Sequence, residues 1–216
     1  MANVNWNQFH EYIMPNVQGC PLAIVNNAIK SSAIEFCERS LLWRLDAEPI
    51  DVTAGESRYS FLPPDGSRVI RVTHAVLNGL TLVPVSRKEL NDAYIDWKTF
   101  EQTSPRMFFM DTPTSITLVG KPIEDSASGL RVQVALKPSR SATNCPDFLY
   151  EDWAETIAHG ALYRLHSMVG KEWAKVDTVA EHYSRYRDGI SRAKSKALNS
   201  WLLIPKSAMP VQFGSF

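Results

Sequence analysis

The chain has 216 residues, 44% of them hydrophobic, enough to bury a core without metals or disulfides. Its 23 Lys and Arg balance 23 Asp and Glu, so the formal net charge is zero and no global basic field recruits nucleic acid non-specifically. Neutrality also removes the charge repulsion that keeps free proteins apart, which suits a subunit of an assembly.

Cys20, Cys37 and Cys145 form no C-x-x-C pair, as expected of reduced thiols that pack as small apolar groups. The first residues, Met1 to Trp6, carry neither a basic nor an apolar leader pattern. No apolar run approaches the roughly 20 residues that span a bilayer. The expectation is a soluble product made in the cytoplasm, with no membrane partner.

In chain order, Trp6 to Ile13 predicts a short helix that Pro15 ends. Pro21 then suits a first helical turn, and a helix runs from it to about Arg44. Leu22, Val25, Ile29, Ala33 and Phe36 recur at spacings of three and four, while Asn26, Lys30 and Glu38 fall off that stripe.

Residues 48–136 change period. Val69 to Leu77 is rich in β-branched residues and runs into Asn78-Gly79, which supplies the two positive-φ positions of a type I′ turn. Leu80 to Val83 should return antiparallel. Ser86-Arg87-Lys88-Glu89 has the form of a capping box and should open a short helix through about Tyr94. Further strands are expected at Arg106–Asp111, Ser115–Val119 and Leu130–Leu136, punctuated by prolines and glycines.

After Pro146, Trp153, Ile157, Ala161 and Leu165 run at i+4 spacing, and Gly170 suits a helix stop. A last helix is expected from about Asp177 to Leu202. Val179, Tyr183, Tyr186, Ile190, Ala193, Ala197 and Trp201 recur along it at spacings of four and three, a seam meant for another helix whose identity the spacing leaves open. Residues 205–216 hold two prolines and no periodicity, and should be extended. The fold class is therefore α+β. Residues 1–46 and 146–203 are expected to form a helical bundle, 47–145 an inserted antiparallel β-rich module, and 204–216 an extended C-terminal docking tail.

Signatures of chemistry are sparse. His159 and His166 lie seven apart on one predicted helix, but no H-E-x-x-H or third ligand accompanies them. His10, His74 and His182 have no partner at ligand spacing. The sequence has no phosphate-cradling glycine loop and no G-x-S-x-G. No catalytic residue, cofactor or metal is assigned. One charge run stands out: Arg185, Arg187, Arg192, Lys194 and Lys196 around the single acid Asp188. The bland reading is a solvated helix face near a negative helix end. The functional reading is a surface that docks an acidic partner or faces passing DNA, without the interleaved aromatics of single-strand binders.

Several stretches together resemble the head–tail adaptor (connector) proteins of tailed phages. They are Glu35 to Ser40 with Leu42-Trp43-Arg44, then Ile50 to Gly55 with Tyr59, and Arg68 to Val72 with Leu77-Asn78-Gly79. Pro105-Arg106, Pro146 to Leu149, Ala158 to Ala161 and Gly170 to Trp173 complete the set, covering roughly residues 20–200 by order and co-occurrence. The resemblance implies a structural virion protein in a closed ring of about twelve copies beneath the portal protein, bound to neighbouring copies and to tail or nozzle proteins below. Viral DNA would pass through the lumen without specific binding. The partner-binding residues assigned on this basis are the five cations above and Met209, Val211, Phe213 and Phe216 of the tail. Other readings stay open: a stopper or upper tail-tube (nozzle) ring protein of the same neck, a small virion-associated hydrolase, and a cytoplasmic DNA-binding regulator.

Overall fold

The computed structural model describes residues 2–93 and 97–199. Strand β1 is Asn3–Asn5, followed by 3-10 turns that flank the short helix α1, His10–Ile13. Pro15 lies inside the second of these turns rather than ending a single helix. Helix α2 is Leu22–Ser40, with Pro21 just outside it as the extended cap. It stops four residues earlier than the hydrophobic spacing suggests, because Leu41 adopts a left-handed conformation (φ 53°) and caps it by donating its N–H to the Cys37 carbonyl.

Five strands come next: β2 (Arg44–Asp46), β3 (Ile50–Val52), β4 (Arg58–Ser60), β5 (Ser67–Leu77) and β6 (Leu80–Thr81). After them come β7 (Val83–Pro84), helix α3 (Arg87–Ala93), β8 (Glu101–Gln102), β9 (Met107–Thr112), β10 (Ser115–Val119), β11 (Lys121–Pro122), β12 (Ser126–Pro138) and β13 (Asn144–Pro146). The chain returns to helix in α4 (Asp147–Glu151), α5 (Ala154–His166) and α6 (Val176–Leu198).

Asn78 (φ 49°) and Gly79 (φ 81°) make the expected turn, pairing Leu77 with Leu80. The returning strand is short. Val83 and Pro84 leave it and join β9 in a parallel pair, so the antiparallel return ends before Val83. The capping box is reciprocal: Glu89 N–H donates to Ser86 Oγ at 3.1 Å, and Ser86 N–H to Glu89 Oε2 at 2.8 Å. The expected end of this helix, Tyr94, lies outside the described residues.

Two larger sheets result, in strand order β2-β12-β5-β6, with β3 also on β12, and β4-β10-β9-β7, while β1 with β13 and β8 with β11 make two-stranded pairs. Most pairs are antiparallel, but β7–β9 and β8–β11 are parallel, a departure from the all-antiparallel expectation. Strand β12 is longer than the hydrophobic run that announced it and spans nearly all of β5. Its Val132, Val134 and Leu136 are buried and share one core with Val25, Ile29 and Phe36 of α2 and with Trp153, Ile157 and Leu165. That core runs unbroken from helices to sheet. At about 25 cal/mol per Å² of apolar surface, such burial is the main force holding the two layers together. A smaller cluster of Leu90, Phe109 and Val119 seats α3 on the second sheet, with Trp97 edge-on to Phe109 at 5.2 Å.

The i+4 row that began at Trp153 belongs to α5 alone. Helix α4 ends at Glu151, and Trp153 caps the next helix instead of lying within one continuous segment. Helix α5 ends at His166, so Gly170 (φ 82°) sits in the turn beyond it rather than at its cap. Helix α5 packs against both α2 and α6, and α2 also touches α6.

Candidate interaction surface on the last helix

Tyr186, Ile190, Ala193 and Ala197 form the buried stripe of α6, and they face α5 and α2 of the same chain. Two glycines permit the close approach. A Cβ on Gly160 would fall 2.6 Å from the Tyr186 ring, and one on Gly189 would fall 2.3 Å from Thr156 Cγ2. The Tyr186 hydroxyl is pinned in turn, donating to the Ser32 carbonyl of α2 at 2.6 Å, and burial pushes its phenol well up. Of the remaining seam residues, Val179 is half-buried and Tyr183 is exposed, with its ring edge-on to Tyr163 at 5.4 Å. Trp201 lies outside the described residues.

The five cations are exposed, but they do not form one patch. At about 100° per residue, Arg185, Arg192 and Lys196 fall on one flank of the buried stripe and Arg187 and Lys194 on the other. Arg185 pairs with Glu181 at 2.7 Å, and Arg187 lies 3.9 Å from Asp188. Lys196 stands over the Trp153 ring at 5.1 Å, so part of its role is to cover the core. The tail residues Met209, Val211, Phe213 and Phe216 lie outside the described residues.

A family model described as SU10 adaptor protein matches residues 15–202. The chain belongs to this family of phage head–tail adaptors. No curated protein matches the chain. The adaptor is thus a structural component of a bacteriophage neck that associates with other neck or tail proteins. The stretches that carried the resemblance lie on α2, β2, β3, β4, β5, β13, α4 and α5 of the adaptor and on the turns beside them.

The adaptor brings together a group of histidines that sequence spacing divides. His182 of α6 meets His159 of α5, Nδ1 to Nδ1 at 2.8 Å, and its ring lies 5.2 Å from that of His166. The Thr178 hydroxyl lies 2.9 Å from the Lys175 carbonyl and 2.7 Å from His166 Nδ1. His166 Nε2 is buried, with no hydrogen bond of good geometry among the described residues, although the Asn16 backbone stands close enough to favour the protonated ring. Burial holds all three imidazoles below the ordinary value of 6.5. Arg185 adds to this at His159, and the neighbouring imidazoles add to it at His166 and His182. His182 went unpaired in the sequence because its partners lie across the α5–α6 turn.

Among the described residues, no group of three or more His, Cys, Asp or Glu is arranged to hold a metal ion. The three cysteines are free and buried. Desolvation raises each thiol, Cys145 to about 12, so they stay protonated and pack as small apolar groups. No helix among the described residues is long and apolar enough to cross a membrane.

Proposed function

We propose that this chain is the head-to-tail adaptor of a tailed phage. It forms a ring of about twelve copies that joins the portal protein to the tail components below. The observation that carries this reading is the family match across residues 15–202. The zero net charge suits a molecule that works inside an assembly. The chain is made in the host cytoplasm and joins the neck there.

The stripe on α6 is occupied within its own subunit, so contacts to the portal and to neighbouring copies are assigned to other groups. These are the cation rows Arg185, Arg187, Arg192, Lys194 and Lys196, and the tail residues Met209, Val211, Phe213 and Phe216. Phenylalanines that find a pocket each bury about 150 Å² or more. The cations make docking salt-sensitive.

Electron microscopy of a virion neck tests the ring: a closed ring of this chain directly under the portal is the expected result. A single copy per neck, or a position lower in the tail, overturns the assignment. Deleting residues 205–216 should leave a folded chain that no longer joins portal-containing heads. Normal occupancy by the truncated chain would remove the docking role of the tail.

A further inference from the structure

Between α2 and the turn joining β12 to β13 lies an open cleft of about 750 Å³. Arg68, Lys137, Arg140 and Arg164 line it, together with Glu35 and Glu38. Lys137 and Arg68 are direct cross-strand partners on β12 and β5. Like charges placed opposite each other destabilise an antiparallel pair, so this juxtaposition works against the fold. Local rules of this kind are broken mainly where function requires it.

The acids in the cleft answer only half of its cations. Glu38 pairs with Lys137 at 2.5 Å, and Glu35 is shared between Arg164 and Arg39. Arg68 and Arg140 are exposed, and neither has an acidic partner among the described residues. The turn that carries Arg140 is held in shape. Ser139 N–H donates to the Gly66 carbonyl at 2.8 Å, the Ser139 and Ser141 hydroxyls lie 2.7 Å apart, and Lys30 Nζ reaches the Arg140 carbonyl at 3.5 Å. Two free guanidinium forks therefore stand on a sheet edge and a braced turn, and each fork matches the two oxygens of a carboxylate.

We propose that this cleft binds an extended acidic peptide segment of a partner protein, with Arg68 and Arg140 each taking a carboxylate. A peptide can space its acids to meet the two free arginines and set neutral residues against Glu35 and Glu38. A nucleic acid strand cannot, because every linkage brings a phosphate towards those glutamates. The residues lining the cleft include no aromatic ring on which a base would stack. The site stands whatever position the adaptor takes in the neck.

The test uses the full-length chain in calorimetric titrations. The probes are a short peptide of alternating Glu and Ser, the same peptide with Gln for Glu, and an oligothymidylate of equal charge. The Glu peptide should bind in a salt-sensitive manner and the Gln peptide should not. The double variant Arg68→Ser/Arg140→Ser should weaken binding about tenfold or more. Arg68→Ser alone should raise the melting temperature, because it relieves the like-charge pair. Absence of Glu-peptide binding, unchanged affinity in the double variant, or tighter binding of the oligothymidylate through the same arginines overturns the proposal. A lowered melting temperature for Arg68→Ser also overturns it, since Arg68 would then be a structural residue.

Discussion

Gly189→Ala reverses the usual effect of that substitution. In an exposed helix interior alanine is favoured over glycine by about 1 kcal/mol. Here the added Cβ would lie 2.3 Å from Thr156 Cγ2, 2.5 Å from its Oγ1 and 3.0 Å from its Cβ, against the roughly 3.5–4.0 Å at which carbon atoms rest. Thr156 is buried on α5, and its branched Cβ keeps a substituent near the contact in any staggered rotamer. Helices α5 and α6 must therefore move apart, at an overpacking cost of about 1–3 kcal/mol. Set against the propensity gain, the net expectation is a loss of about 1 kcal/mol. Urea denaturation followed by circular dichroism should show a lower midpoint at unchanged slope. Thr156→Ala removes the two shortest contacts, so the double variant should recover part of the loss, with a coupling energy of about 0.5–3 kcal/mol. A stabilised Gly189→Ala chain, or strictly additive effects, would refute close glycine-mediated packing as the reason α6 sits where it does.

Ile190→Asp should abolish folding rather than assembly alone: Ile190 is 4% exposed within the subunit, and an unpaired buried charge costs several kcal/mol. Loss of the circular dichroism signal in the purified variant checks this, and a stable folded variant would contradict it. Acidification should weaken the α5–α6 contact. His159, His166 and His182 are held below 6.5, so the unfolded chain takes up the extra protons; their stabilisation is complete above about pH 6.5 and is lost as pH falls through the lowered values. Melting temperature against pH should fall below that point and less steeply in His182→Asn; equal slopes in the two chains would remove His182 as one of its sources.

Local chemistry was the legible part of the sequence. Asn78-Gly79 and the Ser86–Glu89 box act through neighbouring residues, and both turned up with the hydrogen bonds or backbone angles their types require. The end of α2 was not legible, because a leucine takes the left-handed cap position and no glycine announces it. Strand β2 was hidden behind that misplaced end. It exists because β12 offers it a ladder, pairing Ala135 with Arg44 and Gln133 with Asp46. The break before α5 is hidden for a related reason: Trp153 keeps the i+4 spacing while serving as a cap. Contacts across the chain, such as His182 with His159, carry no spacing signal. The cleft carries no sequence signal because Arg68 and Lys137 lie far apart in the chain and become neighbours only through the register of β5 and β12.

The occupancy of the α6 stripe changes what an assembly defect can mean. A seam of Tyr186, Ile190, Ala193 and Ala197 left open to solvent would have been a natural ring contact, and a charge placed in it would have read out assembly. In this subunit the stripe meets α5 and α2, and Tyr186 is bonded to the α2 backbone. A substitution there removes the platform on which every outer group is mounted. Its effect on virions therefore cannot be assigned to an interface. The flanking cations are different: Arg192 and Lys194 are exposed, and substitutions at exposed positions away from packed features usually change stability by no more than about 0.5 kcal/mol. The same reasoning applies to the tail, since residues 205–216 are not among those that make the described α2–α5–α6 contacts. Loss of incorporation from the flanks or tail, in chains that melt like the wild type, is evidence about binding. Loss from the stripe is evidence about folding.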